Sequence, residues 1–311
     1  MSRLVPDFIL RQALEGKHSG RMEVIAVSID LIGFTAITQA FMKHTHAGAE
    51  ALTDTIHTIF TPAISALETR GGCISGFAGD AFTALFEAGR WPQALSAAWE
   101  VRNLSASLGR QKTEYGDYEL AVRIGIGAGE ASWEIIPNPV QTVYWFCGPG
   151  IERAVSAQAL AHPNEIVCCR LPDSIRNSGI GSYATISEEH CKVTGLQLQV
   201  PLQTSRPEPL PQDAFVPESV ARLMVEGEFR DLLSCFINLR DSDARQRRQV
   251  TDAAIAHGGY ISHIDCTDKG WLMYVIFGAP TCYDQNRQRA MIFALELLSS
   301  HGAGRSEERR V

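Results

Sequence analysis

Asp30 and Asp80 are the side chains of this sequence best placed to do chemistry. Asp30 closes the apolar run Val-Ile-Ala-Val-Ser-Ile-Asp (24–30) and leads straight into Leu-Ile-Gly-Phe-Thr (31–35). Asp80 stands in Gly-Phe-Ala-Gly-Asp-Ala-Phe (76–82). Each acid lies at the edge of a segment that otherwise reads as a buried strand. A carboxylate there is costly unless a cation or a set of hydrogen-bond donors meets it. One such aspartate would read as a turn cap. Two brought together make a candidate site for hard, oxygen-preferring ions such as Mg²⁺.

The elements that must position them follow from the pattern of apolar residues. A strand is predicted over 23–30, then a tight turn, then a long helical region over 35–69. Gly71-Gly72 stops that helix, as glycine past the last periodic residue does. A hairpin follows, with strands near 72–77 and 81–87, so Asp80 sits at its tip. Residues 91–108 carry Leu95, Ala98, Val101 and Leu104 at helical spacing. Segments 120–128 and 140–147 read as strands, 151–161 as a helix opened by Gly148-Pro149-Gly150, and 165–169 as a further short strand. This mixture predicts an α+β fold, with helices packed on one face of a largely antiparallel sheet.

The 311 residues are enough for two domains. The prolines at 201, 207, 209, 211 and 217 mark residues 201–217 as a linker between a first domain, 1–200, and a second, 218–299. After the linker the opening pattern returns. Leu-Leu-Ser-Cys-Phe-Ile-Asn-Leu (232–239) echoes the strand ending at Asp30, and Gly-Gly-Tyr-Ile-Ser (258–262) echoes Gly-Gly-Cys-Ile-Ser (71–75). Trp271 to Phe277 then echoes Ala81 to Phe86. Asn238 stands where Asp30 stood, and the tip Thr267-Asp268-Lys269-Gly270 has no counterpart of Asp80. The repeat keeps the scaffold and loses the acid pair. The second copy reads as cut at about half length, and the polar tail over 300–311 reads as disordered.

The net charge of −7 argues against a nucleic-acid surface. No apolar run reaches the ~18 residues that span a bilayer, and the first residues lack a signal-peptide pattern. The chain reads as cytoplasmic. Its eight cysteines form no CxxC and no zinc spacing with histidine, so they read as reduced, mostly buried thiols. His44 and His46 are two apart on a predicted helix, face different sides, and read as ordinary packed or solvated residues.

Ser-Ile-Asp-Leu-Ile-Gly-Phe-Thr, followed by Gly-Phe-Ala-Gly-Asp-Ala-Phe, resembles the class III nucleotidyl cyclase domain. It is most similar to the bicarbonate-responsive soluble adenylyl cyclases and their bacterial relatives, which carry two such domains in tandem. The resemblance covers about 23–200 well and 216–299 more loosely. It implies a ferredoxin-like βαββαβ domain followed by a partial second copy. It also implies conversion of ATP to 3′,5′-cyclic AMP and pyrophosphate, with two Mg²⁺ or Mn²⁺ ions serving an in-line displacement. By resemblance Asp30 and Asp80 hold both ions and the Leu31 carbonyl completes one shell. The backbone N–H groups of Ile32, Gly33, Phe34 and Thr35 receive phosphates at a helix N-terminus, and Arg123 contacts the triphosphate through its two-pronged donor. The plain reading of Arg123 is a strand arginine paired with an acid.

The sequence departs from that family in places. The lysine that bicarbonate-responsive relatives carry four residues before the second metal aspartate is Gly76 here, and their helix arginine is Val155, with Arg153 two positions away. The second copy's purine-contacting lysine aligns with His263. A second subunit or a second copy of the chain would then complete the site. The alternative is a pseudo-cyclase, a regulatory module that binds nucleotide or metal without turnover.

Overall fold

The computed structural model describes residues 5–113, 116–198, 200–202, 210–221, 230–239, 242–267 and 270–300. The tip residues Asp268 and Lys269, residues 203–209 of the proline-rich segment and the tail over 301–311 lie outside the described residues. The chain forms two units. One takes in Met1–Ile135, Tyr144–Gln212 and Met224–Phe229, the other Ile136–Val143, Asp213–Leu223 and Arg230–Val311.

The first unit opens with α1 (Asp7–Leu14), β1 (Ser19–Ile32), α2 (Phe34–Phe41), a 3₁₀ turn (Met42–His44), α3 (Thr45–Glu68), β2 (Cys73–Ala78), β3 (Ala81–Glu87) and α4 (Trp91–Leu108). It continues through a small hairpin, β4 (Arg110–Thr113) and β5 (Gly116–Glu119), to the long β6 (Ala121–Ile136). Then come β7 (Val143–Cys147), α5 (Pro149–Ala159), β8 (Glu165–Cys169), α6 (Asp173–Arg176), β9 (Gly181–Thr185) and β10 (His190–Leu196). The main sheet runs β2-β3-β1-β6-β8-β10-β9, with β7 also paired to β6. β1 pairs antiparallel with both β3 and β6, and β2 with β3. Only β6 and β8 run parallel among the registered pairs. β1, the helices, β2, β3, α4 and β6 therefore make a βαββαβ unit in the order β6-β1-β3-β2, a ferredoxin-like arrangement within an α+β fold.

β1 is buried on both faces from Val24 to Ile29, and that is why it reads as a continuous apolar run. Ile25, Val27, Ile29 and Leu31 point into one core with Leu67 of α3, Leu95 and Ala98 of α4, and Ile124 and Ile126 of β6. The helices are not confined to that face. α5 lies on the other, pressed so close to β6 that a Cβ on Gly125 would stand 2.0 Å from the Ala154 carbonyl oxygen, and one on Gly127 would stand 2.5 Å from the Ala154 nitrogen. The alternating glycines of Gly125-Ile-Gly127 are what admit this second layer. The helical stretch expected over 35–69 is divided into α2 and α3 by the 3₁₀ turn. The hairpin β9–β10, which the apolar pattern does not predict, extends the sheet beyond β8.

The second unit contains α7 (Glu218–Ala221), β11 (Leu233–Asn238), α8 (Ala244–Ala256), β12 (Tyr260–Thr267), β13 (Gly270–Phe277) and α9 (Asn286–Ser300). Its sheet runs β11-β13-β12, antiparallel throughout. The register repeats that of the first unit position by position. Ile25 faces Phe86 and five residues on Asp30 faces Ala81; Leu233 faces Phe277 and five residues on Asn238 faces Leu272. Both hairpins slip at the same place, between Ile74 and Gly76 in one and between Ile261 and His263 in the other. Both helix ends close alike: Gly71 and Gly258 take φ of 88° and 81°. The Gly72 and Gly259 amides then donate to Leu67 O at 3.0 Å and Ala254 O at 2.9 Å, the Schellman pattern. By this register Leu272, not Trp271, corresponds to Ala81, so Trp271 holds the position of Asp80.

No helix among the described residues is long and apolar enough to cross a membrane.

Candidate active site

Asp30 lies near the end of β1, and β3 begins beside it with Ala81 as its cross-strand partner. The turn Gly79-Asp80 therefore closes directly against the end of β1. The backbone confirms the approach, with the Leu31 N–H donating to the Asp80 carbonyl oxygen at 3.3 Å. The structure thus brings Asp30, Leu31 and Asp80 together from segments fifty residues apart. Asp80 is half-buried, and among the described residues its carboxylate has no hydrogen-bond or ion-pair partner.

Asp30 does have a partner. On β6, Arg123 faces it across the strand pair. The Arg123 Nε donates to Asp30 Oδ2 at 3.0 Å, and Nη2 donates to the same oxygen. The Asp30 side chain is 16% exposed and that of Arg123 38%, so the acid is the more deeply held of the two. Arg123 is therefore at the site and is paired with one of its acids, which is the plain reading of a strand arginine.

The turn after β1 is the third component. Gly33 caps α2 with φ 92°, and a Cβ there would stand 2.5 Å from the Glu119 carbonyl oxygen. A left-handed conformation and a backbone wall together require glycine. No side chain caps α2, and Thr35 and Ala36 are exposed. A helix start of this kind presents free N–H groups toward an anion. The turn that carries them continues directly from Asp30 and Leu31.

The donor set at the two acids is two carboxylates and one backbone carbonyl, all oxygen, which suits Mg²⁺ or Mn²⁺ rather than a soft metal. Among the described residues no group of three or more His, Cys, Asp or Glu side chains could hold a metal ion. A cation here would rest on Asp30, Asp80 and the Leu31 carbonyl, and would share Asp30 with Arg123.

Other residues singled out in the sequence lie elsewhere. Arg153 reaches across from α5 and donates through Nη1 to the Ala128 carbonyl oxygen at 2.6 Å, so it ties α5 to β6. Val155 is 44% exposed on α5. Gly76 sits at the register slip of the β2–β3 hairpin. Two neighbours of the site were not legible in the sequence. Glu165 of β8 faces Arg123 in register, and its carboxylate accepts from Lys192 Nζ of β10 at 2.8 Å. Nothing in the sequence signals the parallel pairing of β6 and β8 that puts them there. A cavity of about 230 Å³ lined by Trp99, Arg102, Asn164, Glu165, Lys192 and Thr194 lies at that flank, and Asp30, Asp80 and Arg123 do not line it.

No protein-family model matches the chain. Adenylate cyclase type 10 of Oryctolagus cuniculus is 26% identical over 151 residues, which are 46% of this chain and 9% of that protein. The Homo sapiens protein of the same name is 25% identical over the same length and shares. The chain thus spans about a tenth of the length of these relatives. Among solved structures, the adenylyl cyclase CyaB from P. aeruginosa is 18% identical, with a TM-score of 0.45, over 61% of this chain and 98% of that one. The guanylyl cyclase domain of the RhoGC fusion protein from the aquatic fungus Blastocladiella emersonii is 14% identical, with a TM-score of 0.46, over 58% and 99%. The resemblance to cyclases is thus matched by curated adenylate cyclases over about half the chain.

Proposed function

We propose that this chain is a class III nucleotidyl cyclase that converts ATP to 3′,5′-cyclic AMP and pyrophosphate. The observation that carries the reading is the junction of β1, the β2–β3 turn and α2. It places Asp30, Asp80 and the uncapped α2 amides at one end of the sheet. Two carboxylates beside a bare helix N-terminus suit a metal-bound triphosphate: the acids take the cation and the amides take the anion. Adenine rather than guanine is supported by the similarity to adenylate cyclase type 10.

Asp30, Asp80 and the Leu31 carbonyl would hold Mg²⁺ or Mn²⁺, which supplies charge neutralisation and an activated ribose 3′-oxygen when bound. The N–H groups of Ile32 to Thr35 would receive the β- and γ-phosphates. Arg123, anchored by Asp30, would offer its remaining guanidinium donors to the same phosphates. The second unit has Asn238 and Trp271 at the positions of Asp30 and Asp80, so it contributes no second acid pair. A further copy of the chain or another subunit would complete the site; if it is a copy, activity should rise faster than linearly with protein concentration.

The test is direct: purified protein, ATP and either Mn²⁺ or Mg²⁺, with cyclic AMP measured by mass spectrometry and GTP run in parallel. Product that disappears in Asp30→Ala supports the reading. Absence of any cyclic nucleotide at high protein concentration refutes it. The alternative is a pseudo-cyclase that binds nucleotide without turnover. It is favoured by one observation, the ion pair that already occupies Asp30. That reading predicts ATP·Mg²⁺ binding by calorimetry with no product.

A further inference from the structure

Cys168 of β8 and Cys191 of β10 are directly opposite each other in the antiparallel β8–β10 ladder. Both are 0% exposed and both point into the main core. Their neighbour Cys169 faces His190 in register and points to the opposite side of the sheet, where it packs with Ala157 and Val167. The pairing of the two thiols is therefore selective.

The pocket around them is not an ordinary apolar one. The Arg176 Nε and the Tyr183 hydroxyl are both buried without a hydrogen-bond partner among the described residues. Tyr183 comes from the edge strand β9, and Arg176 ends α6. The Arg176 charge acts on both thiols and on the Tyr183 hydroxyl in the direction that favours their anions. The interaction between the two thiols, followed by burial, pushes Cys168 well up, while the same interaction lowers Cys191 against its burial, with Arg176 adding to the lowering. Buried thiols alone are ordinary packing, but a buried guanidinium Nε without a partner among the described residues is not.

From this arrangement we infer that Cys168 and Cys191 form a reversible dithiol–disulfide site. Facing residues of an antiparallel pair have Cα atoms about 4.5–5.5 Å apart, inside the roughly 4.4–6.8 Å that a disulfide spans. Their Cβ atoms stand about 4.5–5.5 Å apart and need only a small approach to reach the ~3.8 Å of a bridge. The oxidant is a hydroperoxide. One of the two thiolates attacks the peroxide oxygen, the O–O bond breaks with loss of hydroxide, which leaves as water, and that cysteine becomes a sulfenic acid. The facing thiol then attacks its sulfur, water leaves, and the S–S bond forms. Two thiols lose two electrons and two protons, and one hydrogen peroxide becomes two waters. Access is by opening of the edge strand β9, which has a neighbour on one side only. The site connects to the acids through adjacent positions. Lys192 follows Cys191, its ammonium pairs with Glu165, and Glu165 faces Arg123.

The experiment needs neither nucleotide nor metal. The folded chain is treated with hydrogen peroxide, the remaining thiols are alkylated in denaturant, and peptides are mapped under non-reducing conditions. The expected result is one dominant linked peptide joining Cys168 to Cys191, reversed by dithiothreitol. Two unmodified thiols would overturn the proposal, as would a spread of pairings in which Cys169 takes an equal share. The route is tested by dimedone labelling of sulfenic acid after peroxide. With its resolving partner removed, the thiol left in Cys168→Ser or in Cys191→Ser should accumulate the label in at least one of the two variants. No label in either variant refutes the route through a sulfenic acid.

Discussion

Asp30 and Arg123 face each other across β1 and β6, and both guanidinium hydrogen bonds fall on one carboxylate oxygen, Oδ2. An acid held in this way already has a cation, so a metal ion binding at Asp30 must share it. Removing the guanidinium should reveal that competition. In metal-free buffer Arg123→Ala leaves the largely covered Asp30 carboxylate unpaired, and a loss of about 1–3 kcal/mol of stability is expected. Added MgCl₂ should restore part of it, so the rise in Tm with magnesium is larger in the variant than in the wild type. Equal rises in differential scanning fluorimetry would count against a cation at Asp30.

Asp80 should separate from Asp30 in a second experiment. Its carboxylate has no partner among the described residues, so Asp80→Ala should change stability by no more than about 0.5 kcal/mol. If the two acids hold the catalytic cation, the same substitution should reduce cyclic AMP formation at least ~100-fold, since a metal ligand acts in the transition state. Asp80→Ala with unchanged activity would remove Asp80 from the site. A large stability loss would assign it a structural role instead.

The Glu165–Lys192 pair at the flank gives a pH prediction. The Lys192 hydrogen bond holds the Glu165 carboxyl below its ordinary value of 4.5. A depressed folded-state value means that the contribution is complete above about pH 4.5 and is lost as the pH falls through the lower folded value. Both side chains keep some exposure, 23% and 37%, so the effect is well under ~1 kcal/mol after solvent screening. Lys192→Met should flatten the acid limb of the stability curve between pH 5 and 3, measured by urea midpoints. An unchanged limb would mean the pair is fully screened.

What was legible in the sequence divides along physical lines. α4 has the bounds that its apolar period gives, 91–108, because one face of a helix records burial directly. The apolar run predicts β1 over 23–30, but the strand begins at Ser19. Its first residues pair with β6 by backbone while their side chains stay exposed or half-exposed, so no alternation announces them. Helices were expected on one face, yet α5 covers the other, and the signal for it was present in the alternating Gly125 and Gly127. Asp30 and Asp80 are visible as acids at the edges of apolar strands. The partner of Asp30 is not, because Arg123 lies 93 residues away and only the register of β1 against β6 brings the two face to face. The facing of Cys168 and Cys191 depends on β10, a strand the composition of His190-Cys-Lys-Val did not declare.

The repeat between the two units makes the last prediction. Gly72 and Gly259 do the same work. A Cβ on Gly72 would stand 2.6 Å from the Phe86 ring, and one on Gly259 would stand 2.6 Å from Val275 and 3.0 Å from the Phe277 ring. Phe86 and Phe277 are fully buried equivalents in the two hairpins. Overpacking at such a contact costs roughly 1–3 kcal/mol, so Gly72→Ala and Gly259→Ala should each weaken the unit that contains them. Hydrogen exchange followed by mass spectrometry reads the location. Gly259→Ala should speed exchange in β12, β13 and α8 while the amides of β1 and β6 keep their protection. Gly72→Ala should do the opposite. Loss of protection across both sheets from either single change would mean that the two repeats fold as one cooperative body rather than as two.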